Sequence, residues 1–265
     1  MKQCLFFETG KPVTPIMDQL HRKNASPRGQ TRHRLKAVLK AGIVCGLAGV
    51  MQMAAGSAAQ ACSVALVLAM DSSASVDARE HQLQINGLAD AFLDPDVVNA
   101  IEVVGGIYVT AFEWSGRYQQ VEQLSWRFIN DGATASAASN TLRQAGRGYT
   151  EFPTALGYAL GHAAVLMKRA PAHCRRKVID VAGDGINNDG FGPDSAYKAF
   201  DFNGVTVNGL VIAGPDSVPV DYYFTEVIRG PGAFVEVAGT YDDYAEAMKR
   251  KLIREIIGNG LASAD

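Results

Sequence analysis

Residues 64–78 read VALVLAMDSSASVDA: seven apolar residues, then a turn rich in oxygen, then the start of a helical pattern. An unbroken apolar run of this length suits a strand buried on both faces of a parallel sheet. The turn after it contains no glycine, which argues against a phosphate-cradling loop. A strand-to-helix connection needs only one capping side chain. This one offers Asp71, Ser72, Ser73, Ser75 and Asp77. Capping does not account for that much oxygen.

Outward from this stretch, strand and helix patterns alternate to the end of the chain. Strand-like runs occupy 63–70, 105–114, 119–129, 177–183, 205–212 and 233–238; the third is partly polar and suits a sheet edge. Helical periodicity fills the gaps between them, over 81–93, 134–145, 154–167, 194–203 and 221–228, and closes the chain over 241–257. Strands separated by helices imply βαβ crossovers and an α/β, doubly wound, mostly parallel sheet with helices on both faces. No repeat, low-complexity tract or long linker interrupts residues 62–265, which read as one domain.

The preceding 61 residues differ in character. They carry nine Lys and Arg against one Glu and one Asp, a net +7, so a total of −2 leaves −9 for the rest. An acidic body argues against a nucleic-acid partner. RHRLKAVLK (32–40), the apolar AGIVCGLAGVM (41–51) and the small-residue stretch ending Ala59-Gln60-Ala61 have the layout of a secretory signal cleaved near Ala61–Cys62. The apolar core falls short of the roughly 20 residues of a spanning helix. The expectation is a periplasmic or secreted protein that meets the membrane only in transit. Cleavage leaves two cysteines, Cys62 and Cys174, and an even pair in an exported chain points to a disulfide. Each lies just before a predicted strand, so parallel neighbouring strands would place both at one end of the sheet.

Ligands of open α/β sheets bind beyond the carboxyl ends of the strands. There the first strand ends in Asp71-Ser72-Ser73-Ala74-Ser75 and the fourth in Gly183-Asp184-Gly185, while Thr150 precedes the third helix. Asp71, Ser73, Ser75, Thr150 and Asp184 form an oxygen-only set, suited to Mg²⁺, Mn²⁺ or Ca²⁺ rather than zinc. Taken singly, Ser75 could cap the first helix, and Thr150 or Thr154 the third. Glu113 and Trp114 leave the second strand at the same edge and, with Asn187 and Asn188, are expected to line the rim. Asn187-Asn188-Asp189 has part of a calcium-loop spacing but lacks the distal glutamate. His81, His162 and His173 are scattered and receive no role.

The D-x-S-x-S of Asp71, Ser73 and Ser75, followed by Thr150 and Asp184, resembles the metal-ion-dependent adhesion site of von Willebrand factor A-type domains. The resemblance covers Ser63 to Ile257. ALVLAMDSSASVD, FEWSG, KVIDVAGDGINN and GPGAFVEVA are similar to an uncharacterised group of exported bacterial proteins with that fold. It implies strand order 3-2-1-4-5-6 with the third strand antiparallel, which makes the first and fourth strands neighbours. That group has no assigned activity to carry over, but two carboxylates and three neutral hydroxyls would only just balance a divalent ion, so the expectation is a non-catalytic module whose cation captures a carboxylate on a protein partner. The alternative is a metal-dependent hydrolase or phosphatase. Against it, Asp71 is followed by serines, no histidine or lysine is placed as a base, and G-x-S-x-G is absent.

Overall fold

The computed structural model describes residues 62–171, 173–214 and 217–258. The leader, the signal sequence and its cleavage point lie outside the described residues. β1 (Val64–Asp71) is buried along its whole length and lies at the centre of the sheet. It pairs in parallel with β2 (Ile107–Trp114) on one side and β4 (Arg176–Gly183) on the other. β3 (Gln120–Ile129) runs antiparallel along the outer edge of β2. β5 (Val205–Ile212) and β6 (Val235–Ala238) extend the sheet in parallel beyond β4, giving the order β3-β2-β1-β4-β5-β6.

The alternation of side chains along β1 explains why it must be apolar throughout. Val64, Leu66, Leu68 and Met70 pack against α1 (Ala78–Ala91), α2 (Pro95–Val103), α3 (Gly132–Gln144) and α7 (Tyr244–Ile257). Ala65, Val67 and Ala69 face α4 (Leu156–Lys168) and α5 (Pro193–Ala199) on the opposite side. Each large side chain removed from water in this way contributes about 1.5–3 kcal/mol. A polar residue on either face of β1 would lose that contribution and leave a group needing a partner.

α2 was not expected from the sequence. Asp94 caps it, accepting from the Asp96 amide at 2.9 Å, and Pro95 occupies the first helical turn where its missing N–H costs nothing. Its inward residues, Val97, Ala100 and Ile101, are too few to give a clear period. α6 (Val218–Tyr222) passes into a π-helical turn, Tyr223–Val227. A 3₁₀ turn, Tyr241–Asp243, leads into α7.

Cys62 and Cys174 are joined by a disulfide, with an S–S distance of 2.07 Å and a Cα–Cα distance of 4.6 Å. It lies at the amino-terminal end of β1 and β4, the end opposite Asp71 and Asp184. The Arg175 amide donates to the Cys62 carbonyl there at 3.2 Å, so the strand pairing runs up to the bridge. Among the described residues no helix is long and apolar enough to cross a membrane.

Candidate metal centre

Asp71 ends β1 and Asp184 follows β4, its neighbour in the sheet, so two carboxylates far apart in sequence share one edge. The loop after β1 is held from several sides. Gln84 of α1 donates to the Asp71 carbonyl at 2.7 Å, and the Ser72 amide donates to the Trp114 carbonyl at 2.8 Å. Arg147 donates to the carbonyls of Ser72 and Ser73 at 2.9 and 3.1 Å. The Ala74 amide donates to the Phe152 carbonyl at 2.8 Å. These anchors come from different elements, which fixes the loop before any ligand arrives.

Ser75 does not cap α1. That role belongs to Asp77, which forms a reciprocal capping pair with Glu80. The Ser75 hydroxyl instead donates to Asp184 Oδ1 at 2.9 Å and lies 3.2 Å from the Ser73 hydroxyl. Asp71 Oδ1 accepts from the Ser73 amide at 2.7 Å. Asp71, Ser73, Ser75 and Asp184 are thus one connected cluster. Asp184 Oδ2 accepts from the Tyr241 hydroxyl at 3.1 Å, while Asp71 Oδ2 is buried without a hydrogen-bond partner.

That orphaned oxygen is the test of fit for a cation. Burial, and then the charge of Asp184, push the Asp71 carboxyl up to about 7. The Ser73 bonds and Arg147 oppose the shift without cancelling it. Two carboxylates and two hydroxyls converge where negative charge is poorly compensated, and a divalent cation would supply the missing charge. Among the described residues no group of three or more His, Cys, Asp or Glu could hold a metal. Any cation here therefore depends on hydroxyl oxygen, which favours a hard ion.

The threonine is where the structure and the sequence reading part. Thr150 is exposed on the loop ahead of α4 and makes no hydrogen bond to either carboxylate. Thr154, four residues on, is buried. Its hydroxyl lies 3.8 Å from where a side chain on Gly185 would begin, beside the Asp184 loop. Its backbone is pinned there: the amide donates to Asn188 Oδ1 at 2.8 Å, and the carbonyl accepts from the Asn188 and Asp189 amides. Thr154 caps nothing, because α4 has Ala155 at its N-cap and no side-chain cap of its own. Asn187 from the neighbouring loop serves instead, its Oδ1 accepting from the Gly157 amide at 3.3 Å.

The expected rim also needs correcting. Trp114 is fully buried, on the same face as Phe112 in the core against α4, because alternation along β2 turns it inward. Glu113 points to the other face and is 1% exposed. It accepts from the Gly148 amide, and its other oxygen lies 3.1 Å from His81 Nε2. Glu113 and His81 therefore tie α1, β2 and the 145–150 loop together beneath the site. Asn187 is half-buried and Asn188 exposed on the loop after β4, with their side-chain oxygens spent on the start of α4.

A family model described as "Protein of unknown function (DUF1194)" matches residues 61–260. The chain belongs to the DUF1194 family. No curated protein matches it. Among solved structures, proximal thread matrix protein 1 of the mussel byssus superposes with a TM-score of 0.57 at 14% identity, covering 74% of this chain and 49% of that one. A form of the same protein with a zinc-occupied MIDAS motif gives 0.52 at 15% identity, covering 74% and 46%. A von Willebrand factor type A protein from Catenulispora acidiphila gives 0.51 at 16% identity, covering 74% and 43%. This DUF1194 chain spans less than half the length of each of these proteins. With the strand order, these likenesses show that the DUF1194 domain has the von Willebrand factor A-type fold.

Proposed function

We propose that this protein is an exported, non-catalytic binding module that uses a divalent cation to capture an acidic group on a protein partner. The observation that carries this reading is the convergence of Asp71, Ser73, Ser75 and Asp184 at one sheet edge, with Asp71 Oδ2 buried and unpartnered. Asp71, Ser73, Ser75, Asp184 and the Thr154 hydroxyl would hold the ion, in preference to Thr150. Mg²⁺, Mn²⁺ or Ca²⁺ suits the oxygen set, and a cation held largely by neutral hydroxyls keeps charge to offer an outside carboxylate. The occurrence of a zinc-occupied MIDAS in a protein of the same fold supports the reading. So does the acidic body, since a metal bridge lets two anionic proteins associate.

The hydrolase alternative needs a base beside the cluster. No histidine or lysine is hydrogen-bonded to Asp71, Ser73, Ser75 or Asp184 among the described residues, and His81 is turned to Glu113. Non-catalytic capture is the better fit.

Calorimetric titration of the purified protein with Mg²⁺ and Mn²⁺ tests the site. Saturable binding is expected, weakened about 100-fold or more by Asp71→Ala and by Asp184→Ala. Unchanged affinity in both variants would remove the site from this edge. The carboxylate is tested on the Mn²⁺ form: added acetate should lower the water-proton relaxation rate by displacing a metal-bound water. Relaxation indifferent to acetate would contradict capture of an acidic group.

A further inference from the structure

Gly183, the last residue of β4, separates two groups that have nothing else to bond. A side chain at this position would begin 2.6 Å from the Tyr223 hydroxyl and 2.9 Å from Asp71 Oδ2. Both atoms are buried, and neither has a hydrogen-bond partner. One is a donor and the other an acceptor. Leaving a buried polar group unpaired is costly, so two of them converging on one point call for an explanation.

The phenol reaches that point by an unusual route. Tyr223 opens the π-helical turn Tyr223–Val227, a rare geometry that is frequent at functional sites. Its ring crosses β5 at Gly209, where a side chain would begin 2.6 Å from Cδ1. Gly209 and Gly183 thus clear a path across two adjacent strands for one aromatic ring. Burial, and then the charge of Asp71, hold the Tyr223 phenol well above its usual range, so it is a donor at all ordinary pH values. Tyr241 already plays the corresponding part for Asp184, at 3.1 Å.

We infer that Tyr223 is a positioning residue for the cation site: its unpartnered hydroxyl faces the same gap at Gly183 as Asp71 Oδ2 and donates to that carboxylate once an ion is bound, setting the direction in which Asp71 faces the ion. The inference rests on the reading of Asp71 as part of a metal site. Each carboxylate then has its own tyrosine, one from the π turn and one from the 3₁₀ turn before α7. A hydrogen bond gained only in the ion-bound state favours that state, and partners of this kind are worth on the order of 10–100-fold in metal affinity at other sites.

Tyr223→Phe keeps the ring on Gly209 and removes only the donor. Its Mg²⁺ affinity should fall about 10-fold or more, while the metal-free thermal midpoint stays level or rises as an orphaned hydroxyl is lost. A residue that merely fills the core would show the reverse pattern, with affinity untouched. Gly183→Ala, which puts a methyl group between hydroxyl and carboxylate, should weaken Mg²⁺ binding as well. On the wild-type protein, the slowly exchanging Tyr223 hydroxyl proton should shift in the NMR spectrum on Mg²⁺ addition, and this measurement needs no variant. Wild-type binding with Tyr223→Phe at equal affinity and an unshifted hydroxyl proton would overturn the role of Tyr223 alone. A wild-type protein that binds no Mg²⁺ would overturn the metal reading itself, a separate result.

Discussion

Reduction of the Cys62–Cys174 bridge, or Cys174→Ser, is expected to lower the free energy of unfolding by about 4–5 kcal/mol. The bridge spans a sequence separation of 112 residues, enclosing β1 through α4. In the chain-entropy model, closing so long a loop removes a large part of the freedom of the unfolded chain. The folded state gains little from the sulfurs themselves, since the Arg175 and Arg176 amides already bond to the Cys62 and Ser63 carbonyls beside them. Reduced protein should therefore keep its native fold at low temperature and unfold at a much lower urea concentration. Equal urea midpoints with and without reductant would show that the unfolded chain does not gain the expected freedom.

Lys251→Met should cost about 3–5 kcal/mol, because it leaves buried carboxylates without their cation. Lys251 of α7 has no exposed surface, and its Nζ lies 2.7 Å from Asp180 Oδ1 of β4 and in contact with Glu255 Oε1. The Asp180 contact is an ion pair without good hydrogen-bond alignment, and Asp180 Oδ2 has no partner at all. Asn208 of β5 donates to Glu255 Oε1 at 2.8 Å and accepts from the Phe234 amide, completing a polar knot beneath α7. Replacing the group with apolar residues, as in Asp180→Leu with Lys251→Met and Glu255→Met, should recover most of the loss. A single Lys251→Met as stable as wild type in urea would mean that the carboxylates find water or another donor.

The same knot gives a pH signature. Burial pushes the Asp180 carboxyl up to about 7, opposed by Lys251 and reinforced by Glu255. Between its unfolded value near 4 and 7, the folded state holds a proton that the unfolded state has released. Stability from this group is therefore full below about pH 4 and declines as pH rises towards 7. Asp71, also raised to about 7, acts in the same direction in metal-free protein. Comparing thermal midpoints with Asp180→Asn isolates the first effect: from pH 5 to 8 wild type should lose ground against the variant. Parallel profiles would contradict it.

Much of the fold could be read from β1 outward, because burial on both faces forces a strand to be apolar and the strands alternate with helices. The cluster of Asp71, Ser73, Ser75 and Asp184 was legible for a related reason. All four follow directly from strand ends, where small errors of boundary do not move a residue off the edge. The approach of Thr154 to the Asp184 loop was not legible because the residue stands at the start of a helical pattern, where a threonine ordinarily caps. Only the structure shows that Asn187 supplies that service and leaves the hydroxyl free. Glu113 and Trp114 were misplaced because the end of a strand was equated with exposure, although β2 is flanked on both faces there. Tyr223 gave no signal at all. A π turn differs from an α-helix by one residue of register, and apolar periodicity over five residues cannot resolve it.

Anomalous diffraction from a crystal of this protein soaked in Mn²⁺ tests most directly whether the Asp71–Asp184 edge holds a cation. A peak is expected where the Ser73 and Ser75 hydroxyls meet Asp71, Asp184 and the Thr154 hydroxyl, and none there in Asp71→Ala. Crystals that take up Mn²⁺ only elsewhere, with this cluster intact and its hydrogen bonds unchanged, would contradict it.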